Sequence, residues 1–228
     1  MLLMKVGKPN HLESFRNGII HFNPLSYFRE DGTVFRGDEM EGKYTIDISK
    51  GFFIDGIDTT KFGSGRATLT YADSDSTLIF CAAVLDDGNS KPVPPNTINL
   101  FDEFSAEMKK FGQHAVVFEL ESFVKSINMA LKNKGVNAAW GKVSYCDKDN
   151  HRDVREFILE SKERLGDASI YFLKGEDYRA QNEWRYIIDY IATGNGICLN
   201  QNGSLDLIVP PFPVSKIIDL YAAKEIAD

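Results

Sequence analysis

An α+β fold of mixed, mainly antiparallel sheets flanked by a few helices is what this sequence predicts, and three observations predict it. Segments with strand character outnumber segments with helical spacing. They do not alternate with helices in regular strand-helix-strand order. The apolar fraction, 43% of 228 residues, is enough for a sizeable core, so one domain over residues 1–228 is expected.

The elements follow in chain order. Asn10 to Asn17 reads as a short helix capped by Asn10, with Leu12 and Phe15 inward and Gly18 ending it. Ile19 to Phe22 reads as a strand stopped by Asn23-Pro24. Leu25 to Gly42 is turn-rich, charged and aromatic, and is expected as a structured loop or lid outside the core. Tyr44 to Asp55 and Arg66 to Tyr71 alternate as strands do. Asp73 to Ser76 is a turn, Thr77 to Leu85 a buried strand, and Asp86 to Asn96 a loop rich in Pro, Gly and Asn. Asn99 is expected to cap a helix reaching Lys110, with Phe101, Phe104, Met108 and Phe111 at helical spacing before Gly112. His114 to Leu120 is a strand. Ser122 is expected to cap a second helix with Phe123, Ile127, Ala130 and Leu131 inward, ending at Gly135. Ala139 to Tyr145 is a strand and Asn150 to Leu165 a charged amphipathic helix. Ile170 to Leu173, Asn182 to Ile191, Leu205 to Val209 and Lys216 to Leu220 complete the fold as strands.

Composition narrows the function classes. The formal net charge of -7 argues against a general nucleic-acid binder, which is usually basic overall, although a local basic cleft is compatible with it. Lysines 109, 110, 132, 134, 142 and 148 make the middle of the chain locally basic, and solvated faces are the plainer account of them. No apolar run approaches the roughly 20 residues of a membrane span, and the first residues are charged too early for a signal peptide. Cys81, Cys146 and Cys198 are odd in number and far apart, which fits reduced thiols in a cytoplasmic protein. The four histidines are equally scattered, so no His/Cys metal site is expected. Asp73, Asp75, Asp86 and Asp87 lack the glycine and closing glutamate of a calcium loop.

Two stretches concentrate chemistry. In Gln181-Asn182-Glu183-Trp184-Arg185-Tyr186-Ile187-Ile188, a strand would put Gln181, Glu183, Arg185 and Ile187 on one face and the aromatics on the other. By periodicity alone, Glu183 and Arg185 read more simply as an ion pair on a half-solvated sheet. The second stretch holds Tyr27-Phe28-Arg29 and then Arg36-Gly37-Asp38-Glu39-Met40-Glu41-Gly42. Its two arginines suit a diphosphate, since guanidinium forks match phosphate oxygens. Asp38 and Glu41 would hold those arginines or bind ribose hydroxyls, and Tyr27 and Phe28 would stack on a planar ring. His21 and Asn23 add polar groups nearby. A metal-dependent nuclease built from Asp38, Glu41 and Glu183 is a further reading of the same carboxylates.

The N-terminal run His11-Leu12-Glu13-Ser14-Phe15-Arg16-Asn17-Gly18-Ile19-Ile20-His21-Phe22-Asn23-Pro24-Leu25-Ser26-Tyr27-Phe28-Arg29, paired with the late Tyr178-x-x-Gln181-x-Glu183-Trp184-Arg185, resembles uncharacterised bacterial proteins. Those proteins share a Tyr-x-x-Glu/Gln-x-Glu-Trp/Phe-Arg strand. More remotely it is similar to the DarT-type members of the ADP-ribosyltransferase superfamily. That resemblance implies an NAD-dependent ADP-ribosyltransferase, a bacterial or phage-conflict toxin acting on a base of DNA or RNA, or otherwise on a protein side chain, and held by an antitoxin. It implies Glu183 as the catalytic carboxylate and Gln181 as its upstream partner. Arg29 or Arg36 would grip NAD, Tyr27 or Phe28 would stack on nicotinamide, and no metal is required. The family's Ser-Thr-Ser strand has no clear counterpart here. The alternative from a different class is a non-enzymatic binding or sensor module of a toxin or defence system.

Overall fold

In the computed structural model, residues 1–33, 37–50, 53–54, 57–70, 74–93, 97–147, 154, 156–158, 160–161, 165–189, 197–221 and 225–227 are described. The main sheet is built from β1 (Leu2–Gly7), β2 (Ile19–Pro24), β3 (Leu78–Leu85), β4 (His114–Glu119), β5 (Asn137–Lys142), β6 (Glu183–Asp189), β7 (Leu205–Ile208) and β8 (Ile218–Asp219). Its order is β5-β6-β3-β1-β4-β8, and every pairing in it is antiparallel. Small two- and three-stranded sheets are attached, and one of them, Ser144–Cys146 with Leu173–Gly175, is parallel. The helices described over their whole length are α1 (Pro9–Arg16), α2 (Leu25–Glu30), α3 (Asp102–Lys109) and α4 (Leu120–Leu131). The chain is thus α+β with mainly antiparallel sheets and few helices. Among the described residues, no helix is long and apolar enough to cross a membrane.

The two faces of the sheet are covered differently because the strands alternate. Leu78, Phe80, Ala82 and Val84 of β3 and Trp184, Tyr186 and Ile188 of β6 join one large apolar cluster with α1 and α4. Phe15, Phe80, Phe118 and Phe123 form its aromatic centre, with ring centroids 4.8 to 6.5 Å apart. The opposite face carries two smaller clusters. One gathers Met4, Leu85, Phe104, Met108 and Val117, and the other Leu25, Ile79, Ile170, Phe172 and Ile187.

The sheet forks at β3. Its Ala83–Leu85 end pairs with β1 and its Leu78–Ile79 end with β2, which leaves residues 80–82 without a strand partner on that edge. Lys5 fills the fork: its Nζ donates to the Cys81 carbonyl at 2.6 Å and lies 4.5 Å from the centre of the Phe80 ring.

Several sequence expectations are corrected. Capping is not where polar residues suggested: Pro9 opens α1, and Glu119 caps α4 by accepting from the N–H groups of Glu121 and Ser122. Asn99 lies on a strand, Thr97–Leu100, that pairs with Ser90–Val93 inside the expected loop, and α3 begins only at Asp102. Phe101 is therefore exposed, while Phe104 and Met108 are buried as expected. Ile170 to Leu173 is mostly 3-10 helix, spanning Gly166–Phe172. The expected lid enters the core: Leu25, Asp38 and Glu41 are all buried, because α2 docks onto the end of β3. Within the expected helix at 150–165, residues 154, 156–158, 160–161 and 165 are helical and the others lie outside the described residues.

Candidate functional site

The odd-numbered residues of β6 point away from the aromatic core, and the first two are charged. Glu183 and Arg185 are nonetheless 7% and 2% exposed. The expected surface ion pair is an ion pair, but a buried one. It is covered by Glu41 from the segment after α2 and by Lys174 from the strand Leu173–Gly175. Arg185 grips Glu41 with two parallel bonds, Nη1 to Oε1 at 2.7 Å and Nη2 to Oε2 at 3.0 Å. Its Nε donates to Glu183 Oε1 at 2.7 Å, and its Nη1 also donates to the Tyr171 carbonyl. Lys174 Nζ donates to Glu183 Oε2 at 3.0 Å and to Gln181 Oε1 at 2.9 Å, and it sits 4.5 Å from the centre of the Tyr178 ring. The Cys81 side chain lies on the same side of the sheet, opposite Arg185 in register, beside this carboxylate.

Gln181 is not on the strand, as periodicity suggested. It ends a 3-10 turn, Glu176–Gln181, and Asn182 follows in the left-handed region at φ 44°. Asparagine is among the few residues other than glycine that enter that region readily. Here its Nδ2 donates to the Val84 carbonyl at 3.0 Å and to Asp86 at 2.9 Å. The kink swings Gln181 back to Lys174, so Gln181 and Glu183 meet on one amine.

Electrostatics keep the cluster charged. Burial pushes the Glu183 carboxyl up, but the Arg185 guanidinium and the Lys174 amine outweigh it and hold it well below the usual carboxylate range. Burial pulls the Lys174 amine down, while Glu183 and then Glu41 push it up, with a net rise. Burial raises the Cys81 thiol, reinforced by Glu183, so it stays protonated. Tyr145, whose hydroxyl accepts from the Glu183 N–H at 2.7 Å, is raised first by burial and then by the same carboxylate.

The other expected residues lie apart from this quartet. Arg29 donates to the Glu41 carbonyl at 2.8 Å and pairs with Asp75, so its backbone contact supports the residue that Arg185 grips. Tyr27 is exposed and packs edge-on against Phe28 at 5.4 Å, and Phe28 leans on the Leu25–Ile187 cluster. Arg36 lies outside the described residues. His21 bonds Asp206 at 2.7 Å and Asn23 at 3.1 Å in an exposed group at the far end of the sheet. Asn23 lies beside Ile79, which faces Ile187, four residues along β6 from Glu183 and so roughly 13 Å away. Among the described residues, no group of three His, Cys, Asp or Glu is placed to hold a metal. Glu41 and Glu183, two carboxylates of the nuclease reading, both turn to Arg185.

Lys174 and Tyr145 escaped the sequence reading. The signal for Lys174 was a lysine embedded in Tyr171-Phe172-Leu173-Lys174-Gly175, where a charge directly follows an apolar run. An open cleft of about 490 Å³ lies on the other side of Leu173, lined by Tyr145, Phe157, Glu160, Glu176 and Arg179 among others. Its Arg179 pairs with Glu176 and lies 5.7 Å from the Tyr145 ring. Comparison of the chain with family models, with curated proteins and with solved structures returns no match.

Proposed function

We propose that the chain is an NAD-dependent ADP-ribosyltransferase with an ADP-ribosyltransferase-like fold, a toxin of bacterial or phage conflict that modifies a base of DNA or RNA in preference to a protein side chain. The observation that carries this reading is the convergence of Gln181 and Glu183 on the Lys174 amine, with Glu183 kept ionised in a site of little solvent. Burying four charges contributes little to stability, since apolar residues of similar volume serve as well. Such clusters concentrate where a charge has work to do.

The reaction breaks the bond between nicotinamide and ribose, and the bonding pair leaves with nicotinamide. The sugar becomes cationic, as in glycoside hydrolysis. An ionised carboxylate already in place stabilises that cation without reorganising. The acceptor nitrogen or oxygen then bonds the anomeric carbon and gives its proton to a base, for which Glu183 is the candidate. Gln181 orients the ribose or the acceptor, and Arg29 or Arg36 holds the pyrophosphate. At 7% exposure Glu183 reaches NAD only if Lys174 or the Glu41 segment gives way.

The test is transfer of label from NAD, labelled in its adenylate phosphate, to RNA, single- and double-stranded DNA, and protein. Label on one acceptor, lost in Glu183→Gln while the variant keeps the wild-type circular dichroism spectrum, is the expected outcome. Absence of label on every acceptor sinks the enzyme reading.

A second reading is favoured by one observation: both oxygens of Glu183 are already bonded, to Arg185 and Lys174. On that reading the quartet pins residues 25–33 and 37–42 to the sheet in a non-enzymatic binding module. Its partner would then bind Glu183→Gln as tightly as it binds the wild type.

A further inference from the structure

Strand β5 is one edge of the main sheet, and except for Lys142 at its end it lacks the devices that usually protect an edge. Its central residues Ala138, Ala139, Trp140 and Gly141 carry no charge and no proline. The opposite edge, β8, is protected by being two residues long. The N–H of Val143 donates to the Glu183 carbonyl at 2.9 Å. Antiparallel alternation then turns the backbone groups of the odd-numbered residues of β5 toward β6 and those of Ala138, Trp140 and Lys142 outward. Among the described residues, no strand pairs with that outer side.

The same even-numbered residues face α4. Trp140 pairs with Tyr186 and lies 6.4 Å from Trp184, yet it is 42% exposed. Between it and α4 runs a largely apolar groove of about 550 Å³, floored by Leu120 and Val124 and walled by Met129, itself 55% exposed. Lys125, Lys132 and Glu121 line it, and neither lysine makes an ion pair among the described residues. Two lysines against one glutamate leave this groove net positive in a chain of net charge -7, a local inversion of sign.

We propose that the β5 edge and this groove together bind an extended acidic segment of a partner protein, added to the sheet as a further strand. Main-chain bonds to Ala138, Trp140 and Lys142 would supply affinity, and alternate apolar side chains would enter the groove beside Trp140. Acidic residues at the ends of that same row, on the α4 side, meet Lys125 and Lys132, which sets its charge. A second copy of this chain fits less well, because pairing β5 with itself gathers two sets of these lysines along one seam.

The probe is a short capped peptide whose alternate positions carry glutamate, leucine, phenylalanine and glutamate with threonine between them, titrated into the full chain while tryptophan emission is followed. The expected result is a saturable blue shift, weakened at least roughly tenfold in Trp140→Ala and in the Lys125→Glu/Lys132→Glu double variant. Ala138→Pro removes one outward donor without touching the β5–β6 ladder, so it should abolish binding while the circular dichroism spectrum stays unchanged. A peptide with lysine in place of glutamate should bind at least roughly tenfold more weakly. Equal binding of both peptides, or no response to the acidic one, overturns the proposal. So does Trp140-dependent binding of a single-stranded oligonucleotide in its stead, or a dimer that Ala138→Pro dissolves.

Discussion

Arg185 separates two carboxylates, Glu41 and Glu183, that would otherwise share a site with almost no solvent. Both depend on its fork, one through two bonds and one through Nε. Removing one partner from a buried pair typically costs about 3–5 kcal/mol, because the survivor stays buried and uncompensated. Arg185→Ala should lose at least that, read as a fall in the urea midpoint. Arg185→Lys keeps the charge but not the fork, and should lose less. The same contacts set the acid limb of stability. Glu183 is held below its ordinary value by Arg185 and Lys174 against the effect of burial, so it binds fewer protons folded than unfolded. Its contribution is therefore complete above about pH 4.3, the ordinary glutamate value, and is lost as the pH falls below it. Urea midpoints measured from neutral pH down to acid should show this limb, and Glu183→Gln should flatten it. An unchanged slope in that variant would mean that other carboxylates carry the acid transition. Of these residues, Glu183 and Arg185 were legible in the sequence as a pair on one strand face. Their burial was not, because it depends on Glu41, 144 residues from Arg185, and on Lys174, brought back onto Glu183 by the turn between them.

At the scale of elements, the strands were read well where one face is apolar and the other polar. Strands β3, β4 and β6 emerged within a few residues of their true ends, and so did the inward faces of α1 and α4. Misreadings occurred where a long-range partner overrides local preference. Ser90–Val93 and Thr97–Leu100 contain residues typical of loops, yet they pair because each supplies the other's backbone partners. Gly18, at φ 80°, was recognisable as a terminator, and its reason is tertiary as well: a Cβ there would stand 2.7 Å from the Val209 carbonyl oxygen. The fork in the sheet had no sequence signal, since nothing local says that two strands will share one edge of β3. Lys5 makes the fork tolerable by bonding the carbonyl that neither strand reaches. Lys5→Met keeps the length of the stem and removes the donor, leaving the Cys81 carbonyl without that bond. A loss of about 1–3 kcal/mol is expected in denaturant unfolding. Lys5→Arg should recover part of it. If Lys5→Met is neutral, the carbonyl has found water and the fork is open to solvent.

Across the whole molecule, the second face of the sheet is two apolar clusters with a charged seam between them. Hydrogen bonds run along that seam from exposed Asp75 through Arg29, Glu41, Arg185, Glu183 and Lys174 to Gln181. Two elements that contribute few apolar contacts, residues 37–42 and the turn at 176–181, are tied to the sheet mainly through this chain, helped by the Tyr178 hydroxyl donating to the Gly37 carbonyl at 2.8 Å. A segment held by polar bonds opens at lower free energy than the aromatic core behind it. Glu41→Gln keeps the shape and removes the charge that Arg185 grips. Hydrogen exchange should then accelerate at least roughly tenfold in residues 25–33 and 37–42, while amides of β1 and β4 keep their wild-type protection. A uniform loss of protection would instead make the seam part of one cooperative unit, with no separate opening. The outcome bears directly on chemistry. Selective opening supplies the route by which a substrate reaches Glu183, and under the transferase proposal Glu41→Gln would lower the KM for NAD while leaving the label on the same acceptor. Uniform loss closes that route and leaves the seam as a clamp.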